Sequence, residues 1–386
     1  MDNPFIYTSF ASGKHFICRQ HDSDVLAGLI DGGGNAYFTD GARTGKTSVI
    51  QQALYTLRVR GRNNRTVEVP LLNARSAEDL CRKVGGALFR AVASTPDEYA
   101  ALVREHLAGT VFTFDNEYYS ATGEPVKVCS APQRGDLEAI LNLPRRIAAS
   151  GEKTVVIFDE FQNVMLADEA EDILPAFENV LRTARAEGAK NFSFIFTGSS
   201  ANSMKDIFEV HKRFWGLADR IALSEPQEKE VIDHIIRGFL AGGKVIDREL
   251  ARRIFRNFKG NLWYINHFCA ICDSLARGYV TEAILADSLF RLISIHEPTF
   301  TSTVNGLTTF QTSLLKAVAE GHTKFSSAEV INRYGLNSSA NVKRLKDALC
   351  KKEIITFSNP ATGEGASIID PLFEFWLKKY YFEILH

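Results

Sequence analysis

The sequence predicts an α/β core with a parallel sheet covered on both faces, followed by a helical unit and a winged-helix unit. Three observations carry this. The runs at 154–158 and 192–197 are apolar without alternation, as strands buried on both faces require. From Pro226 the pattern switches to helical periodicity, broken by Gly242-Gly243, Gly260 and Gly278. After residue 306, three helical stretches and then two short strands follow in the order of a winged helix.

The chain has 386 residues, enough for two or three domains. Hydrophobic residues make up 45% and charged residues 24%, an ordinary globular composition that excludes wholesale disorder. Lys+Arg is 45 against 46 Asp+Glu, a net charge of -1, so any nucleic-acid contact must be a local patch. No apolar run reaches the roughly 20 residues of a membrane span, and no signal peptide is read at the N-terminus. The expectation is therefore a cytoplasmic protein without membrane contact, its six cysteines free thiols. Cys269 and Cys272 lie in a helical, apolar stretch, where a single C-x-x-C reads as core packing.

In chain order, 35–39 reads as a strand before a Gly-rich turn, 49–60 as a helix, and 67–73 as a second strand. Residues 76–93 read as a helix with Ser76 at its N-cap and Glu78 and Asp79 in its first turn. Residues 99–135 interrupt the rhythm. Apolar stretches at 111–114 and 126–128, with Gly123 and Pro125 between, predict an inserted hairpin or irregular flap. The buried strands 154–158 and 192–197 come next. Helices are expected at 228–240, 247–258, 262–276 and 281–296, with a linker at 297–306 around Pro298. The last unit has helices at 310–319, 327–334 and 339–351 and strands at 354–358 and 366–369, around a turn at 359–363. The expected boundaries are 1–225 (insert about 99–135), 226–298 and 299–386.

Three stretches carry chemistry. Asp40, Gly41, Ala42, Arg43, Thr44, Gly45, Lys46, Thr47 and Ser48 lie between a strand and a helix. Small residues let backbone N–H groups turn inward around phosphate oxygens. Lys46 supplies a point charge for the β/γ-phosphates, and Thr47 a hydroxyl for Mg²⁺. Asp40 stands where G-x-x-x-x-G-K-[ST] has its first glycine, with Gly41 one residue late. Second, Asp159 and Glu160 follow the apolar run 155–158. Asp159 can reach the Mg²⁺ shell and Glu160 can polarise a water for attack on the γ-phosphate. Third, Thr197, Gly198, Ser199 and Ser200 end the run 192–197. Thr197 or Ser199 could orient that water; a plain turn capping the next helix is the equal alternative. Parallel strands bring such loops to one sheet edge.

With these motifs the chain resembles the archaeal-type ATPases of the AAA+/STAND group of P-loop NTPases. The resemblance rests on Phe158-Asp159-Glu160-Phe161-Gln162, the Gly-Lys-Thr loop preceded by Arg43, and Thr197-Gly198-Ser199-Ser200. It extends to Asn3-Pro4-Phe5 and Phe16-Ile17-Cys18-Arg19, to Gly260-Asn261-Leu262-Trp263-Tyr264-Ile265, and to Asp370-Pro371-Leu372-Phe373. It departs at Asp40 and at Leu262, where the family has glycine and proline. The resemblance implies a P-loop NTPase core with ATP and Mg²⁺ as cofactors, and an N-terminal segment, including Phe16 and Arg19, near the adenine. It implies a helical lid at 226–298. It also implies a γ-phosphate arginine before the lid, matched by Arg220, with Arg213 a weaker match. A structural salt bridge is the competing reading of Arg220.

Lys343, Arg344 and Lys346 lie on the third helix of the last unit, with Asn337, Ser338, Ser339 and Asn341 at its start. This is the arrangement of a DNA-recognition helix, but a charge-rich helix is more often a solvated face, here with a structural role or serving a protein partner or self-association. The leading functional expectation is an ATP-binding, Mg²⁺-dependent ATPase acting as a nucleotide-driven switch. The alternative is a nucleotide-dependent DNA-binding or scaffold protein with little hydrolysis. A small-molecule kinase is a third reading, disfavoured because water activation is what Glu160 offers.

Overall fold

The computed structural model describes residues 4–148, 151–359 and 364–384. They divide into two compact units. One comprises Gln20–Ala42 and Val49–Leu223; the other comprises Met1–Arg19, Arg43–Ser48 and Ser224–His386.

The first unit contains β1 (Ala36–Tyr37), β2 (Asn64–Pro70), β3 (Phe112–Thr113), β4 (Lys127–Val128), β5 (Lys153–Asp159), β6 (Phe192–Phe196) and β7 (Asp219–Arg220). Five of these form a parallel sheet in the order β2-β5-β6-β1-β7, flanked by helices. The apolar runs account for the two strands nearest the centre. Every residue of β6 is buried, and β5 is buried from Thr154 to Phe158, with Asp159 exposed at its end. At the edge, β2 alternates, with Thr66, Glu68 and Pro70 exposed. Pro70 lacks an N–H and is tolerated in an edge strand. The register pairs Pro70 with Asp159, Phe158 with Phe196, Phe196 with Tyr37, and Tyr37 with Arg220. One sheet edge therefore carries the ends of all five strands. Beneath it, Phe158, Phe161, Phe177, Phe194, Phe196, Phe208 and Phe214 form one buried aromatic mass.

The insert at 99–135 is more ordered than the expected flap. β3 and β4 pair antiparallel, Phe112 opposite Val128, and enclose the helix Asn116–Thr122. A further helix, Pro96–His106, begins on a capping box. Thr95 accepts from the Glu98 N–H, the Glu98 side chain accepts from the Thr95 N–H, and Pro96 takes the first turn.

The second unit opens its helical part with Glu228–Ala241, Arg248–Asn257 and Leu262–Leu275. Two short strands, β8 (Val245–Ile246) and β9 (Tyr279–Val280), pair in parallel where the glycine breaks were read. Cys269 and Cys272 are wholly buried in this unit's core. The linker expected at 297–306 is a correction. A single helix runs Glu282–Asn305, through Pro298. Ser288, Leu292, His296, Phe300 and Val304 recur every four residues and are all buried, whereas Pro298 is exposed. A continuous buried stripe outweighs one lost helix hydrogen bond.

The helices Thr309–Ala319, Ala328–Tyr334 and Ser339–Lys351 follow, then the antiparallel hairpin of β10 (Ile355–Asn359) and β11 (Glu364–Ile368). Residues 360–363 of the expected turn lie outside the described residues, as does Asn3. On Ser339–Lys351, Lys343 and Arg344 are exposed. Lys346 is half-buried, its ammonium 4.6 Å from the ring centre of Phe357 in the hairpin. Among the described residues, no helix is long and apolar enough to cross a membrane.

Candidate functional site

The second unit contains an open cleft of about 480 Å³, the size class of small-molecule sites. Residues 43–48 form one wall, and residues 6–11, 15–17 and 19 another. Leu262, Trp263 and Asn266 complete it. Arg43, Thr44, Gly45, Lys46, Thr47, Ser48, Phe16 and Arg19 thus meet around one space. Gly41 and Ala42, expected to join them, are not among its walls.

The loop leads into the helix Lys46–Val59, so the first N–H groups of that helix face the loop. Lys46 is only 8% exposed. A lysine at a helix N-terminus is an anion-seeking arrangement. Gly45 has φ +96°, and a Cβ there would lie 2.8 Å from Nη1 of Arg19. Only glycine meets both conditions. Arg19 donates from Nη1 to the Thr44 carbonyl and from Nε to the Ser224 carbonyl at 3.0 Å. Its buried guanidinium thereby holds the loop's shape as well as lining the cavity. The N-terminal wall is fixed in the same way. Trp263 Nε1 donates to the Tyr7 carbonyl (2.8 Å), Asn266 Nδ2 to the Ile6 carbonyl (3.0 Å), and the Ala11 N–H to Ser48 Oγ (3.0 Å).

The carboxylates lie in the α/β unit. The Thr197 N–H donates to the Phe158 carbonyl and the Phe161 N–H to the Thr197 carbonyl, both at 2.9 Å. Asp159 and Glu160 are thus a two-residue protrusion clamped by one residue of the next strand end. Glu160 has φ +57° and ψ +40°, a left-handed conformation that costs a non-glycine residue about 1–3 kcal/mol. Its Oε2 accepts from Ser199 Oγ at 2.6 Å and from Gln162 Nε2. Gln162 lies so close over Gly198 that a Cβ there would fall 2.0 Å from Oε1. Asp159, Glu160, Thr197 and Ser199 are therefore neighbours. Arg220 is not one of them. It lies on β7, three strand spacings or roughly 14 Å from β5, and its Nη1 is 3.4 Å from Glu209 Oε1. Arg213 faces Glu171 at 3.3 Å.

Comparison with known proteins gives two family matches. Residues 31–205 match the family described as "AAA domain", and residues 298–379 that described as "Probable winged helix domain". This is an AAA-type P-loop ATPase fold with a C-terminal winged-helix domain. The Walker-type ATPase PABY2304 of Pyrococcus abyssi superposes with a TM-score of 0.65 at 14% identity, over 97% of this chain and 99% of that one. The ORC2 protein of Aeropyrum pernix, in its ADPNP–ADP complexes, gives 0.50 at 14%, over 96% and 94%. At such identity the likeness is one of fold. No curated protein matches the chain.

Sequence reasoning missed several residues at this candidate site. Gln162 lay inside the quoted motif without a role. Tyr7, Trp263 and Asn266 build the cavity, and of these only Trp263 lies in a motif that carries the family resemblance. Among the described residues, no group of three His, Cys, Asp or Glu side chains could hold a metal. That does not bear on Mg²⁺, which keeps several waters and takes one or two carboxylates with substrate phosphates. The Thr47 hydroxyl and the Asp159 carboxylate are hard oxygen donors of that kind, and both residues are exposed.

Behind Tyr7 lie buried histidines. His267 stacks on Tyr7 at 4.1 Å, with Trp263 and His296 edge-on at 5.3 and 5.8 Å. Burial first, then the neighbouring His296 and Arg43, lower His267 to about 4. Burial also lowers His296 and His234. An unfolded histidine titrates near 6.5. Between about 6.5 and 4 the unfolded chain binds protons that the folded chain does not. This contribution to stability is complete above 6.5 and falls as pH drops through that window. The melting temperature is expected to decline from pH 7 to pH 5, before most carboxylates titrate. His267→Phe, which keeps an aromatic ring, should flatten the decline; an unchanged slope would place its origin elsewhere.

Proposed function

We propose that this protein binds ATP at the cavity and hydrolyses it slowly in a Mg²⁺-dependent way, as a nucleotide-driven switch. The observation that carries this is the loop 43–48 forming one wall of a single cleft, with Lys46 at the start of its helix. In this reading residues 1–225 are the ATPase core, 226–298 the lid and 299–386 the winged-helix unit. The loop amides and Lys46 hold the phosphates, and the N-terminal wall with Phe16 holds the base. Thr47 and Asp159 are the oxygen donors assigned to Mg²⁺, which when bound offsets charge on the β- and γ-phosphates. Glu160 accepts the proton of the attacking water, and Ser199 fixes the carboxylate's direction. Arg220 is assigned a stabilising role toward the γ-phosphate that requires its release from Glu209.

Calorimetry with Mg-ATP tests the reading. A hydrogen bond to a charged group contributes about 1.5–3 kcal/mol, so Lys46→Ala should weaken binding by about 10–100-fold. Equal affinity in wild type and variant would remove the loop from the site.

A further inference from the structure

Three segments far apart in sequence meet at one buried hydroxyl. Arg43, in the loop, has φ +59°, a conformation costly to a non-glycine residue. Its guanidinium lies 4.2 Å from the ring centre of Trp263, and its Nη1 donates to Tyr264 Oη at 3.1 Å. Tyr264, on the helix Leu262–Leu275, is 1% exposed and donates to Asp370 Oδ2 at 2.6 Å. Asp370 belongs to the winged-helix domain. Its other oxygen caps the helix Pro371–Trp376, accepting from the N–H groups of Leu372 (2.9 Å) and Phe373 (3.0 Å). A second tie holds the same helix. Glu374 receives Lys259, which precedes the Asn261 cap of the tyrosine's helix, and Lys378.

The proton's direction along this chain is forced. A guanidinium only donates and an ionised carboxylate only accepts, so the phenol accepts from one and donates to the other. Burial, then the Asp370 carboxylate, hold the Tyr264 phenol well above its ordinary range, so it remains protonated. Both bonds involve a charged partner, and each polarises the next. We propose that Tyr264 is a positioning residue that couples the phosphate loop to the winged-helix domain, so that nucleotide at the loop is read at the Asp370 cap. This rests on the loop binding nucleotide. A phosphate-bearing ligand competes with Tyr264 and Trp263 for Arg43. When Arg43 leaves, the phenol loses its donor and the bond to Asp370 weakens. By reciprocity, a change at Asp370 alters nucleotide affinity without touching the ligand.

The test uses the full chain with Mg-ADP and a non-hydrolysable ATP analogue. Calorimetry reads affinity, and hydrogen exchange reads the peptide spanning 370–377. In wild type, nucleotide should change exchange at the Leu372 and Phe373 amides about 5-fold or more. Tyr264→Phe removes one oxygen and leaves the ring buried. It should bind nucleotide and show no such change. Asp370→Asn, which keeps a capping oxygen, should shift nucleotide affinity several-fold, and the shift should vanish in the Tyr264→Phe background. An exchange change that persists in Tyr264→Phe overturns the coupling, as does wild type binding nucleotide with no change at 372–373. Should Tyr264→Phe not fold, unaltered affinity in Asp370→Asn overturns it alone. Absence of nucleotide binding by wild type overturns the phosphate-loop reading itself, and the coupling with it.

Discussion

Glu160→Gln is expected to retain nucleotide binding and to lower turnover by about 10²–10⁴, the usual loss on removing a general base. The geometry makes this substitution a clean one. The protrusion that carries Glu160 is set by backbone bonds, from Thr197 to Phe158 and from Phe161 to Thr197, and neither involves its side chain. An amide of the same size keeps an oxygen for the Ser199 hydroxyl, now 2.6 Å from Oε2. What it loses is the capacity to take a proton. Phosphate release and nucleotide affinity should be measured on one preparation. Unchanged turnover with retained binding would move the base elsewhere, a water held by Thr197 being the next assignment.

The parts of the molecule legible in sequence are those whose cause is local. β5 and β6 declare themselves by unbroken apolar runs, the Ser76 cap by its hydroxyl before two acidic residues, and the phosphate loop by Gly45, Lys46 and Thr47. Two further local signals are also present in the sequence. The Thr95-to-Glu98 capping box starts a helix that runs into what reads as a flap, and the four-residue stripe from Ser288 to Val304 carries a helix through Pro298. Other features have no local cause. Nothing near Tyr264 in the chain announces that its hydroxyl will lie between Arg43 and Asp370, over a hundred residues away on each side. The pairing of Arg220 with Glu209 and the seating of Lys346 on Phe357 are likewise tertiary events. The sequence lists the cations, but packing decides which remain on the surface.

Phe161→Ala is expected to lower stability by about 3–5 kcal/mol. The ring is fully buried, with Phe196 at 4.6 Å, Phe177 at 5.2 Å and Phe208 at 5.8 Å. Close-packed aromatic neighbours cannot collapse into the space left, so the cavity cost adds to the lost burial. For an α/β unit of this size the melting temperature should fall on the order of 10 °C. The same ring has a second consequence. Glu160 stands in a left-handed conformation that its own side chain does not favour, and such strain persists only where the surroundings over-determine it. The buried ring immediately after it is half of that constraint; the Thr197 bonds are the other half. Phe161→Ala should therefore lower turnover per folded molecule as well as stability, whereas Phe161→Leu, which fills more of the space, should lose less of both. Melting curves and turnover corrected for the folded fraction separate the two effects. A stability loss under about 1 kcal/mol would contradict the packing argument. Full turnover in the folded fraction would show that the Thr197 clamp alone sets the position of Glu160.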